Sequence, residues 1–436
     1  MPRVPCNAIT TSFCFLIFGI PLAARSLRAE EQREQEASKS SPVQQPWEAD
    51  PALVEKLTNR KSEFNYQEAS VPSFSLPDVL AGQNGTRVES SKDWESFARP
   101  RLLNLFRSEV YGIRPMVKPA IEYQVLESES AFGDQATGYQ VRATIRHNDK
   151  VHSFEFVLFT PKRSQPAPIL VQINNRYLIN MKDALKKDDP FWPAKKIVER
   201  GYATATFHTS DVDPDKADGY LDGVRALLDD PDADPSARWR SLSAWGWAAS
   251  RVLDYASTLN EIDVSKSAVI GHSRGGKAAL WAAAEDARFA IAYSNNSGCG
   301  GAALSRRRFG ETVARITTVF PHWFTDRFAG YANREDELPV DQHQLIALIA
   351  PRSVYVTSAD QDLWADPRGE YLSLVGASEA FELYGQESIT NPEMPVLDQP
   401  RRKGPTGYHI RGGKHNLIES DWMHFLDFAD QRFRKK

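Results

Sequence analysis

The sequence holds 436 residues, 41% of them hydrophobic and 25% charged, with a formal net charge of −4. That length accommodates one large α/β domain or two average ones, and the composition is ordinary for a globular protein. The slightly acidic balance excludes a broad basic surface for nucleic acid or for an anionic membrane.

The chain opens on Arg3 and an apolar run from Ala8 to Ala24. The run is too short to span a bilayer comfortably, and small residues at Ala24 or Ala29 offer cleavage points, which reads as a secretory signal. Residues 30–46 are charged and Gln/Ser-rich, with almost no large apolar side chains, and read as a flexible tether. The expected layout is a signal peptide over 1–29, a linker over 30–48 and a single catalytic domain over 49–436. The mature protein is expected in the periplasm or outside the cell, with no membrane segment left. Of the three cysteines, Cys6 and Cys14 fall in the signal, leaving Cys299 without an internal disulfide partner.

A proline-punctuated segment runs from Trp47 to Leu80. Ser90-Ser91-Lys92-Asp93 then supplies capping residues ahead of an amphipathic run that predicts a helix ending near Tyr111-Gly112. Gly138 to Arg146 and Val151 to Thr160 read as strands joined by a hairpin at Asn148-Asp149. Ile169 to Ile173 is a continuous apolar run suited to a buried parallel strand. A helix near Trp192 to Arg200, a strand over Tyr202 to His208 and a helix over Trp245 to Leu259 follow. After these, Phe289 to Tyr293 and Ser353 to Thr357 read as further core strands, separated by a long insertion over 297–351. A closing helix covers Ser420 to Ala429. Strands alternating with helices after an opening hairpin predict an α/β fold: a mostly parallel, doubly wound sheet in a three-layer αβα sandwich.

The chemistry is concentrated where Ala268-Val269-Ile270 meets Gly271, Ser273 and Gly275 in G-x-S-x-G spacing, followed by an Ala/Leu/Trp helix former. Strand, tight glycine turn and helix make Ser273 a candidate nucleophile at a helix N-terminus, where N–H groups favour a developing oxyanion. A serine hydroxyl needs a histidine to take its proton and a carboxylate to orient that histidine. In α/β hydrolases the order along the chain is Ser, acid, His. The loop after Ser353–Thr357 carries Asp360, Asp362 and Asp366. Asp366-Pro367 reads as a turn or helix cap. Asp362 is preferred because Leu363 and Trp364 can desolvate it, with Asp360 as the alternative. Among the histidines that follow, His424 lies in the last helix and His409 in a strand-like run, whereas His415 sits in a Gly-Gly-Lys-His-Asn loop suited to a general base. Two cations flank the serine: Arg274, whose backbone N–H belongs to the oxyanion hole, and Lys277, one turn on along the same helical face. They favour an acyl group that carries hydroxyls over a plain fatty acyl chain.

Residues 271–282 (GHSRGGKAALWA) resemble the nucleophile block of bacterial glucuronoyl esterases, carbohydrate esterase family 15. The likeness continues through 294–301 (SNNSGCGG), 310–312 (GET), 320–323 (FPHW), 338–343 (LPVDQH), 350–352 (APR), 362–369 (DLWADPRG) and the terminal His415 with Asp421-Trp422. The resemblance implies an α/β-hydrolase fold, a Ser/His/acid triad, and an ester substrate joining (4-O-methyl) glucuronic acid on xylan to a lignin alcohol. Carried over by position, Ser273 is the nucleophile, His415 the base and Arg274 the oxyanion helper, while Lys277, Glu311 and Trp364 contact the uronate ring. Many members carry a catalytic Glu just before the Ser-Gly that here is Ser297-Gly298. This chain has Asn296 there, so the acid role falls on Asp362, and loss of the Asn296 side chain is expected to cost little. No cofactor or metal is expected; residues 211–215 (DVDPD) lack the glycine and terminal Glu of an EF-hand loop. The expected partner is a glucuronoxylan or lignin–carbohydrate ester, acted on by a monomer. An acetyl xylan or other carbohydrate esterase with the same triad is the alternative; a non-catalytic polysaccharide-binding protein would require a broken triad.

Overall fold

The computed structural model describes residues 45–82, 86–177 and 180–433. The signal-peptide reading and most of the tether lie outside them. Trp47, at the end of the expected linker, is already tied to the domain by its N–H donating to Pro395 O at 3.0 Å.

Ten strands form one sheet: β1 (Ala120–Ala131), β2 (Ala136–His147), β3 (Lys150–Pro161), β4 (Ala167–Asn174), β5 (Ala203–His208), β6 (Ile262–His272), β7 (Phe289–Asn295), β8 (Ser353–Ala359), β9 (Arg401–Lys403) and β10 (Thr406–Arg411). Their spatial order is β1-β2-β3-β5-β4-β6-β7-β8-β10-β9. The pairs β1–β2, β2–β3, β3–β5 and β10–β9 are antiparallel, while β5–β4–β6–β7–β8–β10 run parallel. The hairpin turn falls at Asn148, whose φ of 53° suits a short polar residue. β1, which the sequence reading passed over, is the outer strand of the antiparallel end.

The core has two sides because successive strand residues point to opposite faces. Ile169, Val171, Ile173 and Val269 pack on one face with Trp245 and Leu253 of α2 (Ser241–Ala256). Leu170, Ala268 and Ile270 pack on the other with Trp422, Phe425 and Leu426 of α5 (Glu419–Phe433). Burying each such side chain contributes about 1.5–3 kcal/mol, and both faces of the central strands use it, which gives the three layers. The described residues thus show the α/β architecture the sequence pattern predicts.

Two helical stretches differ from that reading. Ser91–Asp93, Trp94–Ala98, Arg99–Phe106 and Arg107–Tyr111 follow one another without a break and include two π-helical turns. The proline-punctuated start contains a helix, α1 (Pro51–Arg60), with Pro51 in its first turn and Asp50 Oδ1 accepting from the N–H of Ala52. No helix among the described residues is long and apolar enough to cross a membrane.

Candidate active site

The parallel strands end level with one another. Ile173 pairs with Gly271, His272 with Asn295, Asn295 with Thr357, and Ala359 with Arg411. The loops leaving β6, β7, β8 and β10 therefore share one crevice at the carboxyl edge of the sheet.

Ser273 stands between β6 and α3 (Arg274–Glu285) with φ 56° and ψ −124°, a strained conformation for a residue with a Cβ. The turn closes because its glycines leave room. A Cβ on Gly271 would lie 2.0 Å from Gly275 O, and one on Gly275 would lie 2.6 Å from Ile173 O. The N–H of Ser273 is held by Asn295 O at 2.8 Å, and Ser273 O receives the N–H of Gly276 and of Lys277. The Arg274 N–H begins α3 and has no partner within the helix.

His415 Nδ1 donates to Asp362 Oδ2 at 2.5 Å; the imidazole is 40% exposed and the carboxylate 5%. With Nδ1 so engaged, Nε2 is the ring nitrogen left for proton transfer. The other carboxylates of the loop do different work. Asp360 Oδ1 accepts from the N–H of Gly413 at 2.7 Å. Asp366 caps α4 (Pro367–Gly376) and pairs with Arg307. His409 is buried between Tyr355 and Asp421, and His424 packs against the His409 ring.

Lys277 is buried and its ammonium donates to Ser297 O and, at 2.6 Å, to Cys299 O, with Glu311 Oε2 at 3.7 Å. It is thus a held cation rather than a solvated one. The N–H of Glu311 donates to Trp364 O at 2.9 Å, which brings the three expected ring contacts to one wall. Arg274 turns elsewhere. Its guanidinium pairs with Asp215 and lies 4.6 Å from the centre of the Trp323 ring. Asp215 also accepts from His322 Nε2 at 2.8 Å and Trp323 Nε1 at 2.7 Å. Burial works against its charge, yet these hydrogen bonds and the Arg274 cation hold it below the ordinary carboxylate range.

Three further contributors complete the site; of these only Asn296 figured in the sequence, as the position where the acid is replaced. Asn296, in the left-handed region at φ 46°, donates from Nδ2 to Asp362 Oδ2 at 3.0 Å. Glu370, fully buried, accepts the N–H of Ser297 and of Gly298 and the hydroxyl of Ser358. It thereby fixes the loop that carries Asn296 and the carbonyls holding Lys277, and burial pushes its carboxyl up to about 8. The third is the segment after α1. Phe64 packs edge-on to Trp364 at 4.8 Å, Lys61 Nζ lies 4.1 Å from the centre of that indole, and Asn65 O receives the N–H of Gly310.

Residues 143–385 match the family described as glucuronyl esterase, fungi. Carbohydrate esterase MZ0003, from an unknown prokaryotic organism, is 37% identical over 399 residues, covering 84% of this chain and 91% of that one. The glucuronoyl esterase of Solibacter usitatus superposes with a TM-score of 0.78 at 37% identity, over 84% of this chain and 100% of its own. The 4-O-methyl-glucuronoyl methylesterase 1 of Wolfiporia cocos is 26% identical over 332 residues, 73% of this chain and 74% of that one. With its elbow, crevice and these likenesses together, the chain belongs to the glucuronoyl esterases of carbohydrate esterase family 15, which are carboxylic ester hydrolases.

Proposed function

We propose that the protein hydrolyses esters of glucuronic acid, with or without a 4-O-methyl group, through an acyl-enzyme formed on Ser273. The observation that supports this is the Ser273 elbow at the carboxyl edge of the sheet, where the neighbouring loops bring His415 and Asp362 within 2.5 Å of each other. In the reaction, Ser273 Oγ attacks the ester carbonyl and its proton passes to His415 Nε2. Asp362 holds the imidazolium, and the N–H of Arg274 at the start of α3 donates to the tetrahedral oxyanion. Collapse expels the alcohol, which takes the proton from His415. Water then attacks the acyl carbonyl with His415 as base, and the uronate leaves as Ser273 recovers its proton.

Lys277 and Glu311 support a sugar acyl group, since an ammonium and a carboxylate side by side can bind ring hydroxyls as donor and acceptor. The Wolfiporia cocos relative is a 4-O-methyl-glucuronoyl methylesterase and the Solibacter usitatus one a glucuronoyl esterase, which supports the same acyl group here. The physiological ester is then a glucuronoxylan–lignin cross-link, met by an exported monomer. The test is the turnover of methyl or benzyl glucuronate, the matching galacturonate and an acetylated sugar on one preparation, with Ser273→Ala as control. Preference for the glucuronate, lost in Ser273→Ala, is expected. A larger kcat/KM for the acetyl ester would favour the acetyl esterase reading, and turnover by Ser273→Ala would sink both.

A further inference from the structure

His272 precedes the nucleophile and has no part in the steps above, yet it is 1% exposed and its ring centre lies 4.4 Å from that of His415, the planes tilted by 49°. Arg176 Nη2 lies 3.0 Å from His272 Nε2. A guanidinium can only donate, so Nε2 accepts and the proton of the neutral ring sits on Nδ1. That proton meets Asn295 Oδ1 at 2.6 Å, and the amide is turned this way because its Nδ2 donates to Thr357 Oγ1 at 2.7 Å. The chain Arg176 to His272 to Asn295 to Thr357 is consistent in one tautomer only. The charged and titratable groups facing His272 are His415 from the last loop, Arg176 from the loop after β4 and Arg411 from the end of β10. Burial first, then these groups, hold His272 well below the ordinary imidazole range.

We infer that Arg176 and His272 are positioning residues: Arg176 locks His272 as a neutral ring against His415, leaving one imidazole in the crevice able to take the serine's proton. Two rings this close cannot both be charged without mutual repulsion, and a proton on His272 would oppose the imidazolium the reaction must form. The inference rests on the reading of Ser273 and His415 as nucleophile and base.

The experiment is the pH dependence of kcat/KM on a methyl glucuronate between about pH 5 and 8, where imidazoles titrate, with fluorophosphonate labelling of Ser273 in parallel. Wild type and His272→Phe should show an acid limb of slope one. Arg176→Met returns a free Nε2 to His272, so its slope should rise towards two and its midpoint should move to higher pH. Arg176→Lys, which still donates, should keep the slope of one, and Arg176→Met/His272→Phe should regain it. An Arg176→Met limb with wild-type slope and midpoint overturns the inference, as does loss of the limb in His272→Phe. Failure of wild type to label would instead remove the functional reading beneath it.

Discussion

Asn296 Nδ2 donates to Asp362 Oδ2, the same oxygen that receives His415 Nδ1. The amide thus shares in aiming the carboxylate, and the expectation that its loss costs little is revised. A hydrogen bond to a charged group is worth about 1.5–3 kcal/mol. Asn296→Ala should lower kcat by roughly tenfold with KM little changed, whereas Asp362→Asn should cost about four orders of magnitude, the scale seen when a triad acid is neutralised. Steady-state kinetics of the two variants decides. A larger loss in Asn296→Ala than in Asp362→Asn would overturn the assignment of Asp362 as the acid.

Glu370 makes a pH prediction. Its carboxyl is raised from 4.5 to about 8 in the fold, so between those values the native state holds a proton that the unfolded chain has released. Its contribution to stability is fully present below about pH 4.5 and is lost as pH rises through about 8. Glu370→Gln mimics the protonated form and cannot titrate. The variant's Tm should therefore fall less between about pH 5 and 8 than that of wild type, by a few degrees. Parallel Tm curves would show that Glu370 is ionised throughout.

Much of this arrangement was legible in the residues. Gly271, Ser273 and Gly275 announce the elbow because only glycine tolerates its backbone contacts, and Ile169–Ile173 reads as buried because parallel strands are covered on both faces. Asp362 and Asp360 could not be separated by geometry in the sequence, since both lie within one short loop; the hydrogen bond of Asp360 to Gly413 is a contact 53 residues away. Glu370 gave no signal at all, being one carboxylate on an ordinary helix until Ser297 and Gly298 fold back onto it. α1 was hidden by prolines that break helices internally but fit a first turn, where Asp50 before Pro51 was the available clue.

Glu311 offers a test that separates substrate binding from chemistry. Its carboxylate faces the Lys277 ammonium at 3.7 Å and is not in contact with the His415–Asp362 pair. Glu311→Gln should reduce kcat/KM for the glucuronate ester by about 10–100-fold, matching the loss of one charge-assisted hydrogen bond. Turnover of an acetyl ester by the same variant should change less than about threefold. Equal losses on both substrates would place Glu311 in the chemistry rather than on the sugar.

Phe64 supports Trp364 from outside the crevice. An edge-on aromatic pair contributes about 0.5–1.5 kcal/mol beyond burial. Phe64→Ala should let the indole wander and raise KM for the glucuronate by roughly three- to tenfold at nearly constant kcat. A fall in kcat at constant KM would count against a role through Trp364.

Arg274 offers the last test. Its guanidinium is committed to Asp215 and stacked near Trp323, while its N–H belongs to the start of α3. Any service of the side chain to the oxyanion must come from the position Asp215 imposes. Arg274→Ala and Asp215→Ala should then each lower kcat by about tenfold. The double variant should be no worse than the poorer single, because both remove the same held cation. Asp215 stays ionised well below neutral pH, so the coupling should persist across the active range. Additive losses in the double-mutant cycle would mean that Asp215 acts through His322 and Trp323 rather than by holding Arg274.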